Sequence, residues 1–175
     1  MIKIKIIDNY ILPKLAYDIE EYFLGHKLDW YWNKETIERE ELEKYNTKNT
    51  VNTGQFTHIV MRNFDLMADH VRNKNKGLHT SIAYDGIKEI FKNINFNLVI
   101  RIRSNLNLNV TGYKKESHQP IHDDARVNGY KSLIYYINDN DGDTIFFNDK
   151  LKEIKRVSPK KGRAVIFDSQ ILHCG

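Results

Sequence analysis

Two histidines and one aspartate in the C-terminal half of this chain have the side chains that a single metal ion requires. In the segment Pro120-Ile121-His122-Asp123-Asp124, His122 and Asp124 are separated by one residue. Residues i and i+2 of a strand project to the same face, so this imidazole and carboxylate are predicted to converge while Asp123 points away. A second imidazole, His173, follows a predicted strand much further along the chain.

Such a set predicts a particular kind of metal chemistry. Two imidazoles and one carboxylate on one face of an octahedron form the facial triad of non-haem Fe(II) oxygenases, in which the other positions stay open. A His-x-Asp pair is common in proteins, and the motifs between it and the distal histidine therefore carry much of the assignment.

Other histidines are weaker candidates. His118 and His122 have the i, i+4 spacing of a zinc-protease helix, but Pro120 lies between them and no Glu follows His118. The remaining histidines lack convergent partners and are predicted to lie on the surface or in the core: His26, His58, His70 and His79. Cys174 adjoins a proposed ligand, but sequence neighbours in a strand point apart, so it is assigned no role.

The acidic run Asp139, Asp141 and Asp143 suggests a calcium loop. Gly142 comes too early for an EF-hand, and Lys150 occupies the position of the bidentate Glu. Asp141-Gly142 is therefore predicted to form a hairpin turn.

Composition indicates one globular domain without a membrane span. The 175 residues are 41% apolar and 11% aromatic, and no apolar run approaches eighteen residues. The single cysteine excludes an intramolecular disulfide, which fits a cytoplasmic protein. The formal charge of +4 comes from basic residues scattered among acids, so nucleic acid is not indicated as a partner.

Helical patterns are confined to the N-terminal half. Pro13 is suited to open a helix and Gly25 to end it, with Leu15, Ile19, Tyr22 and Phe23 on one face. The charged stretch 34–44 is predicted to be helical, and 46–54 a loop. A second helix is predicted to begin near Thr80-Ser81, with its apolar face formed by Tyr84, Ile87, Phe91 and Ile94.

Strand patterns dominate the rest. Met1 to Asp8 alternates apolar and basic residues, 56–62 is a short strand candidate, and the period changes from 3.6 to 2 from Leu98 onward. Further strands are predicted at 119–124, 131–138, 143–148, 153–158 and 163–168, separated by Asn-Gly, Asp-Gly and Lys-Lys-Gly turns. This order favours an α+β, mainly β fold with helices on one face of an antiparallel sandwich.

The region 97–175 resembles the 2-oxoglutarate/Fe(II) oxygenases, in their prolyl 4-hydroxylase-like branch. Four motifs that are similar to the family's occur in order: His122-Asp123-Asp124, Leu133 to Asp139, Asp141 to Phe147, and Val157 to Phe167 before His173. Each motif is loose singly, whereas the ordered set is specific. Trp30-Tyr31-Trp32 and Gln55 to His58 are similar, more weakly, to phage-encoded members of the group.

The resemblance implies both a fold and a reaction. The fold is a double-stranded β-helix, or jelly roll, with N-terminal helices packed on one sheet, a support region at 1–96 and a core at 97–175. The implied catalytic metal ligands are His122, Asp124 and His173, which would bind Fe(II), with 2-oxoglutarate as cosubstrate and O₂ as oxidant. Tyr136 is an implied cosubstrate contact, with a core tyrosine as the alternative, and Asn105 is a weaker candidate for such a contact. The reaction hydroxylates a substrate C–H bond and releases succinate and CO₂.

One feature of the family has no counterpart in this sequence. The family places a Lys or Arg about ten residues beyond the distal histidine to pair with the cosubstrate's second carboxylate, and the sequence ends at Gly175. Truncation, with loss of the last core strand, is the expectation. Arg101, Arg103 or Arg163 could substitute. The alternative hypothesis is a noncatalytic jelly-roll binding or virion-associated module. The substrate stays open among a protein side chain, a nucleobase and a small metabolite.

Overall fold

A computed structural model describes residues 4–37, 39–67, 74–92, 94–108, 114 and 116–175. Across these residues the protein is mainly β, with antiparallel sheets and few helices, as the sequence predicts. The elements are β1 (Lys5–Ile7), α1 (Pro13–Leu24), β2 (Tyr31–Asn33), α2 (Arg39–Tyr45), β3 (Gln55–Asn63), β4 (Leu78–Thr80), α3 (Ala83–Ile87), β5 (Arg101–Leu106), β6 (Lys131–Tyr135), β7 (Thr144–Phe147), β8 (Glu153–Val157), β9 (Ala164–Asp168) and β10 (His173–Cys174). Two 3-10 helices cover Phe64–Leu66 and Lys88–Phe91.

The first helix, α1, has the bounds that its sequence predicts. Pro13 stands in its first turn, where the missing N–H costs nothing. Gly25 ends it by close approach, because a Cβ at this position would lie 2.6 Å from the carbonyl oxygen of Glu21. Its buried residues are Ala16, Ile19 and Phe23. This face belongs to a core that also contains Val60 of β3 and Ala164 of β9.

The other helices are shorter than predicted. In the charged stretch α2 covers Arg39–Tyr45, and residues 34–37 are not helical. The second predicted helix is split into α3 and the 3-10 turn at Lys88–Phe91. Ser81 does serve the start of α3, where its Oγ accepts the N–H of Ala83 at 3.2 Å. Gly86 and Ile87 have weak helix propensity, which is consistent with the early end of the α-helical turn.

The described strands form three antiparallel sheets. One has the order β1-β9-β6 and a second the order β10-β7-β8. In the third, β2 and β4 pair with one edge of β3 and β5 with the other. The first two sheets share an apolar cluster built from Phe146, Val157, Val165 and Phe167. Through β1 the N-terminal segment joins a sheet whose other strands come from the C-terminal half, and the predicted alternation at the N-terminus is confirmed at Lys5–Ile7.

Two predictions about the strands were wrong. Residues 119–124 form only an isolated β-bridge between His122 and His173, because Pro120 has no N–H to continue a ladder. Asp141-Gly142 does not turn a hairpin, since β6 pairs with β9 while β7 pairs with β8 and β10. That loop instead carries the chain from one sheet to the other.

The described helices include none that is long and apolar enough to cross a bilayer.

Candidate metal centre

The three predicted ligands meet at one place in the structure. Ligand atoms of His122, Asp124 and His173 all lie within 4.8 Å of one another. The two histidines are held by a backbone pair, in which His122 N–H donates to His173 O at 3.0 Å and His173 N–H donates to His122 O at 2.9 Å. Residues 51 positions apart in sequence are thereby fixed opposite each other. Such a group could hold a metal ion.

Both imidazoles are oriented in the same way. Nδ1 of His122 lies 3.1 Å from the carbonyl oxygen of Pro120, and Nδ1 of His173 lies 2.9 Å from that of Ile171. A carbonyl oxygen can only accept, so each Nδ1 carries the proton and donates it. When either ring is neutral, its lone pair is therefore on Nε2. This is the tautomer that a metal-binding histidine adopts when its other nitrogen is held by a hydrogen bond.

Aromatic packing fixes the ring of His173. The side chain is buried, with Phe146 stacked at a centroid distance of 6.0 Å and Phe167 edge-on at 4.8 Å. The ring of His122 is 4.5 Å from that of His173. Because both phenylalanines belong to the core shared by two sheets, the ligand is positioned by the fold rather than by a flexible loop.

Asp124 is ionised in this setting. Burial raises the pKa of its carboxyl, but His173, a hydrogen bond from Ser132, His122 and Arg101 together lower the pKa below its ordinary value. Its Oδ2 is 3.7 Å from His173 Nε2, and its Oδ1 is 4.0 Å from Arg101 Nη2. A carboxylate that stays charged at neutral pH is the form that binds a cation.

Asp123 lies outside the group, as the one-residue spacing predicts. Its carboxylate accepts a hydrogen bond from Arg126 Nε at 2.8 Å. The separation of the two neighbouring carboxylates agrees with the prediction, although the backbone makes a bridge and a bend here rather than a strand.

Two serines that the sequence did not single out support the site. Ser132 Oγ donates to Asp124 Oδ2. Ser169 is buried, its carbonyl oxygen accepts the N–H of Asp124 at 2.9 Å, and its hydroxyl contacts the carbonyl oxygen of Ala125 at 3.0 Å. Strand parity offered a signal for Ser132, a polar residue on the face of β6 that also carries Ile134 of the apolar cluster.

Tyr136 and Asn105 lie outside the three-residue group. The buried hydroxyl of Tyr136 donates to Thr144 Oγ1 at 2.7 Å, and burial raises its pKa. Asn105 is exposed on β5, opposite Thr57 of β3.

The three arginines considered as anchors are placed differently. Arg101 and Arg103 alternate along β5 on one face, and the charge of Asp124 acts on Arg103 as well as on Arg101. Arg163 is engaged elsewhere: its Nε donates to Asp8 Oδ1 at 2.6 Å and its Nη1 to Ser158 O at 2.7 Å. The β5 arginines are therefore the ones near the metal centre.

The alternative metal sites do not assemble in the described part of the chain. His118 is buried, with Nε2 3.0 Å from Thr47 Oγ1 and Nδ1 2.8 Å from its neighbour's carbonyl oxygen. Asp139 accepts the N–H of Lys161, and Asp143 pairs with Arg156. Neither set is among the groups able to hold an ion, and His122, Asp124 and His173 form the single such group found in the described residues.

The other histidines have structural surroundings where they are described. His58 is buried between Asp29 O and Ser81 Oγ, at 2.8 Å from each. His79 contacts Lys76 O at 2.9 Å. His70 lies outside the described residues.

The donor set of the centre suits a mononuclear site. Two imidazoles and one carboxylate would fill three coordination positions of an ion, and their nitrogen and oxygen donors are compatible with Fe(II). No family model matches the chain, and no curated protein is significantly similar to it.

Proposed function

We propose that this protein is a non-haem Fe(II) and 2-oxoglutarate-dependent oxygenase, and that its two core sheets belong to a double-stranded β-helix. The convergence of one ligand atom from each of the two imidazoles and from one carboxylate, all within 4.8 Å of one another, carries the proposal. The antiparallel sheets β1-β9-β6 and β10-β7-β8, which share one apolar cluster, support the fold assignment.

In this proposal each residue has a defined task. His122 and His173 present Nε2 to the ion while their Nδ1 protons stay on backbone carbonyls, and Asp124 supplies the negative charge. Phe146 and Phe167 hold the His173 ring and exclude water from its far side. The iron and cosubstrate would supply oxidative decarboxylation of 2-oxoglutarate coupled to hydroxylation of a C–H bond. A protein side chain of the prolyl type or a small molecule would be the substrate.

Anaerobic titration tests this function directly. We expect Fe(II) to bind with one ion per chain, and subsequent addition of 2-oxoglutarate to produce the weak visible charge-transfer band of a chelate. Exposure to O₂ should then release succinate, slowly in the absence of a substrate. Iron binding without any band or succinate would favour the noncatalytic binding module, and failure to bind Fe(II) would reject the metal centre itself.

A pair of neighbouring variants separates the site from its surroundings. Asp124→Ala should reduce Fe(II) affinity by at least about 100-fold, because removing the carboxylate deletes one of three ligands and the only anionic one. Asp123→Ala is the matched control, since its carboxylate is directed to Arg126, and it should leave iron binding unchanged. Equal losses in the two variants would refute the ligand assignment.

A further inference from the structure

Three arginines form a positively charged surface beside the metal centre. Arg62 of β3 lies directly opposite Arg101 of β5 in the antiparallel ladder, and Arg103 follows two residues later on the side of β5 that carries Arg101. We call Arg62, Arg101 and Arg103 the arginine face. Arg101 connects it to the metal centre, because its Nη2 is 4.0 Å from Asp124 Oδ1.

Within the described residues, this charge is poorly compensated. Arg103 is half-buried, and burial together with the neighbouring charge of Arg101 lowers its pKa to about 10, with Asp124 as the one acid that opposes the shift. The Nε–H of Arg62 is buried without a hydrogen-bond partner in the part of the chain described here. Like charges facing each other across a ladder destabilise a sheet, so an arrangement of this kind gains stability from a bound anion.

We propose that the arginine face is an oxyanion-binding site, which holds a carboxylate or phosphate group of a molecule bound next to the metal. Guanidinium groups suit this task because their fixed fork of donors matches both oxyanions. Two molecules could bring the group: the cosubstrate through its second carboxylate, or an acidic substrate.

The net charge of the site also favours a substrate that carries an acidic group. The charges of a divalent cation, a 2-oxoglutarate dianion and the Asp124 carboxylate sum to one negative charge. The three guanidiniums carry more positive charge than is needed to neutralise it. The positive excess that remains would attract a substrate bearing its own anionic group. This second step rests on the proposed function, whereas binding of an oxyanion to the arginine face does not.

The first experiment uses the metal-free protein and inorganic phosphate. At constant ionic strength, phosphate should raise the thermal midpoint of the wild type, and Arg103→Met or Arg101→Met should weaken the phosphate affinity by about tenfold or more. Arg156→Met is the control, since this strand arginine pairs with Glu153 and Asp143 and its side chain is 38% exposed against 36% for Arg101. The phosphate affinity of Arg103→Lys should fall between those of the wild type and Arg103→Met. Equal phosphate responses in all variants would overturn the proposal.

The second experiment identifies which molecule brings the anion. Binding of 2-oxoglutarate to the Co(II)-loaded protein is compared with that of 2-oxopentanoate, which keeps the chelating end but lacks the distal carboxylate. Loss of the preference for 2-oxoglutarate in Arg103→Met assigns the site to the cosubstrate. An unchanged preference, with loss of phosphate binding to the 2-oxoglutarate-saturated protein, assigns it to the substrate. If both the preference for 2-oxoglutarate and the binding of phosphate were unchanged in Arg103→Met, the proposal would be overturned. Failure of Co(II) to bind would count against the proposed function alone.

Discussion

At the scale of single residues, the metal centre depends on side chains that are not ligands. Each histidine is fixed by a carbonyl two residues before it, and Asp124 is fixed by Ser132 and by the Ser169 carbonyl. Hydrogen bonds of this kind orient ligands and adjust their basicity, so their loss weakens metal binding without removing a ligand.

Ser132→Ala tests this dependence. Loss of the hydroxyl removes a hydrogen bond that lowers the pKa of Asp124, so that pKa should rise toward its ordinary value, and Fe(II) affinity should fall by about tenfold. Carbon-detected NMR titration of the metal-free protein measures the pKa, and anaerobic iron titration measures the affinity. Ser158→Ala, at an exposed position after β8, is the control. If neither the pKa of Asp124 nor the Fe(II) affinity differed from that of the wild type, Ser132 would not act on Asp124.

At the scale of secondary structure, local sequence patterns predicted those helices and strands that are determined by their own residues. Helix α1 and strands β3, β7 and β9 fall where their sequence patterns place them, and each has buried residues of its own. Strands β6 and β8 also form where they are predicted, although β8 buries only Val157. The bridge at His122 and the crossing of the loop at Asp141-Gly142 depend on which strands become neighbours. That pairing is a property of distant segments, and no local period encodes it.

The same distinction applies to the candidate site. The identity and convergence of His122, Asp124 and His173 could be predicted from residue type, spacing and ordered motifs, and the structure brings them together. The roles of Ser132 and Ser169 could not, because serine is common in turns and strands and only the three-dimensional contact gives it meaning. The pairing of Arg62 with Arg101 also requires the register of β3 on β5.

Gly54 offers a test at this scale, because it precedes β3 and has φ of +72°. A Cβ there would lie 2.6 Å from the Asn33 carbonyl oxygen and 2.8 Å from a Trp32 ring carbon, so alanine must displace backbone of β2. We expect Gly54→Ala to lower the free energy of unfolding by more than about 3 kcal/mol in urea titrations.

Gly129→Ala supplies the matched comparison for that measurement. Gly129 also has a positive φ, of +86°, but a Cβ at this position would meet nothing within 4 Å. It should therefore incur only the conformational penalty, about 1–2 kcal/mol. Similar losses in both variants would mean that the backbone of β2 yields easily at Gly54.

At the scale of the whole molecule, the chain is closed by contacts between its beginning and its C-terminal half. Strand β1 pairs with β9. Immediately after β1, the carboxylate of Asp8 accepts hydrogen bonds from Nε and Nη2 of Arg163 at 2.6 and 3.1 Å. Tyr10 N–H also donates to Gly162 O at 2.8 Å. These contacts hold the segment leading into α1 against the turn between β8 and β9.

Asp8→Asn tests how much this tie contributes and over which pH range. The hydrogen bond from Arg163 lowers the pKa of Asp8, against a smaller opposing effect of burial. A carboxyl whose folded-state pKa is depressed stabilises the fold above its unfolded-state pKa, about 3.9, and that contribution is lost as the pH falls through the folded-state value. The variant should therefore be less stable than the wild type in urea at pH 7, and the difference should shrink steadily as the pH is lowered below 4. Asp141→Asn, in the exposed loop before β7, should show no such pH-dependent difference. A deficit for Asp8→Asn that is constant with pH would show that the tie acts through shape and hydrogen bonding alone, without the charge of Asp8.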